Sequence, residues 1–192
     1  MNLPEDAAPN LLGALALAVN SRMRAAVVDA AGAGGALAEA VVVIKDQPGS
    51  TAEWLGQVLG LTQPGAAHLV RRLVDQGWVR RQPGADGRSR ALHLTAAGRV
   101  AAERILRARQ DALADLVGLL TAEQRHQLAR IAGNLLRCEA GDRRELARLC
   151  RLCDRSRCPT CPVHDGYRGA PCAGAGASGG AAGATEDPTP AR

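Results

Sequence analysis

Apolar residues recur along most of this chain at the three-and-four spacing of a helix facing a core, and they switch to alternation in one short stretch. Asn10 is placed to cap a helix running to about Asp29, and Ala31-Gly-Ala-Gly-Gly35 breaks it. Ala36 to Gln47 reads as a second helix, ended by Pro48-Gly49. Ser50 and Glu53 form a capping-box pattern for a short helix to about Leu59, with Gly60 as its stop. Thr62 then caps a helix with Pro64 in its first turn, where a missing N–H costs little. Leu69, Val70 and Leu73 form its inward face, and Gly77 ends it.

The period changes next. Trp78 to Arg81 and Arg90 to Leu94 read as two short strands around Gln82 to Ser89, which is rich in turn residues. Thr95 caps a long helix to about Leu119, with Leu106, Leu113, Val117 and Leu120 on one face. Thr121 and Gln124 make a second capping-box pattern, for a helix carrying Leu128, Ile131 and Leu135. Asp142 to Leu152 is a further helical piece leading into a group of cysteines. Residues 1–9 read as a loose arm. Residues 169–192, mostly Gly, Ala, Ser, Thr and Pro, lack the apolar content to fold and are expected to be disordered.

The predicted fold is mainly α: a winged helix-turn-helix with a two-stranded wing, flanked by N- and C-terminal helices. Alanine and leucine dominate the apolar content, the aromatics are Trp54, Trp78 and Tyr167, and the tryptophans read as core residues. The formal charge is +5, and arginine supplies nearly all the positive charge because Lys45 is the single lysine. Arginine makes forked contacts to phosphates and guanine edges, so the bias is compatible with nucleic acid. The apolar run Leu11 to Val19 is short for a membrane span and Ala36 to Ile44 contains Glu39, so no membrane segment is expected. Glu5 and Asp6, with no basic residue, precede the first run, which argues against export and for a cytoplasmic location. In that compartment six cysteines are expected to be thiols or metal ligands rather than structural disulfides.

Residues 62–110 hold ten arginines against Asp75, Asp86 and Glu103. In a helix-turn-helix-wing unit the second helix enters the major groove, with its N-terminal part against the base edges. Gln63, Ala67, His68 and Arg71 are then the outward face. Gln63 suits an adenine edge and Arg71 a guanine edge, by donor and acceptor matching. Arg72 suits a phosphate, and the helix start at Thr62 presents free N–H groups to another. A single exposed arginine is more often a solvated surface residue; a cluster on this element order favours double-stranded DNA.

Leu73-Val-Asp-Gln-Gly-Trp-Val-Arg-Arg81, Asp86-Gly-Arg-Ser-Arg90 and Leu94-Thr-Ala-Ala-Gly98 together resemble the winged helix of the MarR family of bacterial transcriptional regulators. The resemblance covers residues 10–137, with a DNA-binding core at about 36–99 and dimerisation helices at about 10–29 and 96–137. It implies a homodimer on a pseudo-palindromic operator, a small-molecule effector, and a wing whose arginine enters the minor groove while an aspartate orients it. Those roles fall on Arg88 and Asp86. Gly87 stands where the family usually has a second basic residue, so Arg90 is the candidate to take over that contact. The apolar faces of the last two long helices, larger than a small winged helix needs, support a dimer independently of the resemblance.

Residues 138–168 read as a cysteine-rich module. Cys150-x-x-Cys153 and Cys158-x-x-Cys161 supply four thiolates, the number tetrahedral zinc takes. Pro159 and Pro162 would stiffen the second pair, and Cys138, His164 and Cys172 are reserve ligands. An iron–sulfur cluster also takes four cysteines. A thiol switch is the third reading, since Arg148, Arg151, Arg155 and Arg157 surround the thiols and positive neighbours favour the thiolate. The leading functional expectation is a DNA-binding regulator, most simply a repressor, that answers a small molecule, a metal or a redox signal. The alternatives are a thiol–disulfide redox protein and a metal-binding interaction adaptor. No strand-helix-strand scaffold, paired carboxylates or phosphate-binding loop supports an enzyme.

Overall fold

The structure, a computed structural model, describes residue 4 and residues 6–84, 89–158 and 160–169. Their elements are α1 (Ala7–Ala31), α2 (Gly35–Asp46), α3 (Ala52–Leu59), α4 (Gln63–Asp75), β1 (Val79–Pro83), β2 (Arg90–Leu94), α5 (Ala96–Gly118), α6 (Ala122–Leu136), α7 (Arg143–Leu149) and α8 (Pro162–Tyr167). A single 3-10 turn covers Arg155–Arg157.

α2 is the centre of the molecule. Leu37, Ala38, Ala40, Val41, Val42, Val43 and Ile44 are all buried, so it is apolar nearly all round, as a helix enclosed on every side must be. Around it lie Val27 and Ala31 of α1, Leu55 and Val58 of α3, Leu69, Val70 and Leu73 of α4, and Ala101, Ala102, Ile105 and Leu106 of α5. Trp78, Val79, Leu92 and Leu94 seat the base of the wing on the same core. Trp54 packs against that core from its edge.

The wing is antiparallel, with Val79 opposite Leu94 and Pro83 opposite Arg90. The Gly49 N–H donates to the Leu92 carbonyl and the Leu92 N–H to the Ser50 carbonyl, both at 2.9 Å. This short bridge ties the entry to α3 to the wing and explains a correction. The hydroxyl that caps α3 is that of Thr51, accepting from the Trp54 N–H at 3.1 Å. Ser50, the cap read from the sequence, has its backbone in the bridge and its hydroxyl buried without a partner.

Two glycines set helix approaches. A Cβ on Gly56 would crowd the Ala66 methyl, so its absence lets α3 and α4 cross closely. A Cβ on Gly98 would overlap the Trp78 carbonyl, so the first turn of α5 lies directly against the start of the wing. Thr95 fixes that junction: its hydroxyl donates to the Gly77 carbonyl at 2.6 Å and accepts from the Gly98 N–H at 3.0 Å.

α1 begins at Ala7, so residues 7–9 of the expected loose arm are helical, and Pro9 sits in the first turn, where it is tolerated. By length and composition alone α1 would suffice to cross a membrane, a longer apolar stretch than the Leu11–Val19 run considered above. It lies along α5, with its C-terminal end in the core and Leu11, Leu12, Leu15 and Leu17 exposed. α6 carries the capping box read from Thr121 and Gln124, yet none of its residues is buried; Leu128, Ile131, Leu135 and Leu136 are exposed.

The C-terminal elements fold back. Ala147 and Leu152 join the central core. Arg143 stacks over the Trp54 ring at 5.1 Å, and the Arg151 Nε reaches Glu39 on α2 at 3.2 Å. α8 packs on α6, with Gly166 against the Arg137 carbonyl. α7 is shorter than the sequence suggested. Asp142 caps it, its carboxylate accepting the Glu145 N–H at 2.7 Å, and it stops at Leu149 with Cys150 as its C-cap. The cysteines therefore lie beyond the helix rather than on it. The tail from 170 onward lies outside the described residues.

Candidate nucleic-acid interface

Local chemistry aims α4. The Thr62 hydroxyl accepts from the Gly65 N–H at 3.3 Å, and Pro64 occupies the first turn. One face then carries the buried Ala66, Leu69, Val70 and Leu73, which leaves Gln63, Ala67, His68, Arg71 and Arg72 exposed together with Thr62. Gln63, His68, Arg71 and Arg72 on this exposed side carry hydrogen-bond donors of the kind that read or clamp DNA.

Gln63, Ala67 and Arg90 line a single open groove of about 570 Å³, with Glu53 and Gln57 of α3 and Ser89 on its walls. The sequence placed Gln63 and Arg90 in different elements, and the fold brings them to one surface. Gln57 was not singled out beforehand, and Glu53 was read only as part of a capping box. Nothing in the spacing places them in a groove with α4, because that depends on the α3–α4 crossing at Gly56. Arg80 and Arg81 on β1 are exposed and extend the basic surface along the wing. Asp86 and Arg88, the wing-tip pair expected to enter the minor groove, lie outside the described residues.

The cysteines form a second locus on another side of the molecule. Cys150, Cys153, Cys158 and Cys161 are free thiols and all line one cavity of about 500 Å³. Arg109 and Gln110 of α5, Leu136 of α6, Leu146 and Leu149 of α7, and Val163 of α8 complete most of the wall. Cys158 is exposed while the other three are partly covered. Cys150 and Cys153 are the most closely joined of them, the Cys153 N–H donating to the Cys150 carbonyl at 2.8 Å. Among the described residues no three Cys, His, Asp or Glu side chains stand together in an arrangement that would hold a metal ion. Cys138, named above as a reserve ligand, is disulfide-bonded.

The electrostatics of the pair are lopsided. The hydrogen bond from Cys150 lowers the Cys153 thiol to about 6, with Arg109 and Arg151 helping and burial and Asp46 opposing. The same bond and burial push Cys150 upward. Burial also raises the Asp46 carboxyl, against the pull of Arg155 and Lys45. Arg109 and Asp46 were absent from the sequence reading, and Glu39 entered it only as a charge within an apolar run. They sit on α5 and α2, far from the cysteines in the chain, and only the folding-back of α7 brings them near.

Comparison with known proteins agrees with this geometry. Residues 38–89, from within α2 through β1 to the residue before β2, match the family model for the MarR family. The MarR-family protein Rv2887 of Mycobacterium tuberculosis is 25% identical, with a TM-score of 0.55 over 70% of this chain and 98% of that one. Apo MarR from E. coli is 24% identical, with a TM-score of 0.56 over 71% of this chain and 99% of that one. Rv2887 has also been solved in complex with DNA and in complex with salicylic acid. No curated protein matches the chain. The helix-turn-helix and wing, set between α1 and the α5–α6 pair, thus have the fold of MarR-family winged-helix structures, and residues 38–89 are similar in sequence to that family.

Proposed function

We propose that this chain is a DNA-binding transcriptional regulator that acts as a homodimeric repressor in the cytoplasm. The observation that carries the reading is the α4 surface: Gln63, Ala67, His68 and Arg71 exposed beside a capped helix start, with Arg90 of the wing on the same groove. Rv2887, a structural relative bound to DNA, supports it. Each contact falls into one of two kinds. Gln63 and Arg71 read base edges, while Thr62, Arg72 and Arg90 hold phosphates and set the register. Arg88, oriented by Asp86, adds a minor-groove contact. Occupancy of a promoter is enough to repress, so no further activity is needed.

The test is a gel-shift titration against the DNA flanking the gene, repeated across salt concentrations. Affinity should fall steeply as salt rises, because each neutralised phosphate releases a counterion. Arg88→Ala should weaken binding by about 1–3 kcal/mol per half-site and leave thermal unfolding unchanged. Wild-type affinity in that variant would remove the wing from the interface.

The dimer follows from apolar surface the single chain leaves uncovered. Leu11, Leu12, Leu15 and Leu17 of α1 and Leu128, Ile131 and Leu135 of α6 are exposed on helices that flank the reading unit. Clusters of this kind on a folded domain mark an association surface. Two copies joined there would set their α4 helices about 34 Å apart, one turn of duplex. Ile131→Glu should yield a monomer by light scattering and abolish cooperative operator binding. A dimer of unchanged stability would place the interface elsewhere. An effector small enough to lodge between the dimer helices and the reading unit is the simplest signal, by analogy with the salicylic acid complex of Rv2887.

A further inference from the structure

The repressor reading leaves the thiol cavity unused, and its parts fit one chemistry. Cys153 donates its backbone N–H to the Cys150 carbonyl at 2.8 Å, which closes a turn from one cysteine to the other. A closed four-residue turn brings its end Cα atoms to within about 7 Å. A disulfide spans Cα separations of about 4.4–6.8 Å, so the two can be joined with little movement of the backbone. Both thiols are free and line the same cavity. Arg109, Arg155 and Arg157 line the same cavity beside them, and the Arg109 Nε is buried without a hydrogen-bond partner. Leu136, Leu146, Leu149 and Val163 form the apolar part of the wall; Asp165 and Asp154 also line it, and Asp154 pairs with Arg157 at 3.5 Å, which leaves Arg109 and Arg155 to meet an anion. A volume of about 500 Å³ suits a small organic molecule.

We propose that this cavity is a thiol–disulfide exchange site for small disulfides bearing carboxylates, with Cys153 as the attacking sulfur and Cys150 as the resolving one. The Cys153 thiolate attacks one sulfur of the small disulfide. The S–S bond breaks, and one half leaves as a thiolate that takes up a proton. The other half stays on Cys153 as a mixed disulfide. Cys150 loses its proton to solvent and attacks the Cys153 sulfur, releasing the second half. One cysteine pair is oxidised to a disulfide and one small disulfide is reduced to two thiols, so atoms and electrons balance. The arginines hold the carboxylates, and the apolar wall takes the body of the ligand. Cys158 is the most exposed of the four thiols and faces the solvent side, which makes it the internal control for unselective oxidation.

The test uses the full chain and one equivalent of 5,5′-dithiobis(2-nitrobenzoate), a disulfide with two carboxylates. After brief reaction the protein is digested with trypsin and mapped by mass spectrometry. Cleavage after Arg151 separates Cys150 from Cys153, so their peptides stay together only if the two are bonded. The expected product is that linked pair. In Cys150→Ser the resolving thiol is gone, and the nitrobenzoate should remain on Cys153. Arg109→Gln should slow the reaction with the dicarboxylate probe by about tenfold, the lower end of what charge steering supplies. It should leave the rate with uncharged 2,2′-dithiodipyridine unchanged. Labelling that starts at Cys158, nitrobenzoate retained on Cys150, or equal slowing with both probes would each overturn the proposal. So would purified protein whose four thiols are withheld by bound zinc or an iron–sulfur cluster.

Discussion

Arg71→Ala is expected to cost operator affinity about 2–6 kcal/mol, because a dimer loses the contact twice and one arginine–guanine contact is worth about 1–3 kcal/mol. That is roughly 30-fold to 10⁴-fold in Kd. The side chain is exposed on α4 while its neighbours Leu69, Val70 and Leu73 hold the helix down, so its removal takes nothing from the core. The loss should be confined to one base-pair position in each half-site, with the preference there relaxed. Arg72→Ala serves as the contrast: it should weaken all sequences alike and flatten the salt slope. Isothermal titration against the operator and single-base variants of it separates the two patterns. If Arg71→Ala weakened every sequence equally, Arg71 would be a phosphate contact and the base-reading face of α4 would need to be redrawn around Gln63 and His68.

The second large effect is on stability. Gly98→Val should destabilise the fold by about 3 kcal/mol, near the upper end for forcing atoms into a packed site. Even a methyl at this position would overlap the Trp78 carbonyl. The backbone cannot give way there, because the Trp78 carbonyl also accepts from the Thr95 N–H at 3.0 Å and lies beside the Thr95 hydroxyl. α5 would have to lift off the wing, uncovering Ala101, Ala102 and Ile105. For a chain of this size the expected fall in melting temperature is about 10 °C. Circular dichroism on heating would show it, and an unchanged transition would mean that α5 does not lie against the wing base as described.

How much of this was legible in the chain depends on how local each signal was. The caps at Thr62, Thr95 and Thr121 each act within three residues, and all three hydroxyls accept the bond read for them. The two strands read from alternation and turn residues form the wing. The α3 cap was misplaced by one residue because Ser50 and Thr51 are both capping types, and what separates them is a bridge to Leu92. No local rule can see that bridge. The outward face of α4 was readable from helical spacing alone. Its partnership with Gln57 and Arg90 in one groove required the crossing at Gly56. The cysteines show the same division. Their spacing announced two pairs, but spacing carries the number of ligands and not how the loop closes. The Cys150–Cys153 pair is closed by a local turn, but the arginine brought to it from α5 is there only once α7 has folded back.

That fold-back has a consequence for how the parts of this protein depend on one another. Ala147 and Leu152 are buried in the same apolar cluster as α2, and Arg143 roofs Trp54 of α3. Residues 143–152 are thus floor, not freight: they underlie α2 and α3, which support α4. A chemical event at Cys150 or Cys153, one and two residues from the Arg151 tether to Glu39, would bear directly on that footing.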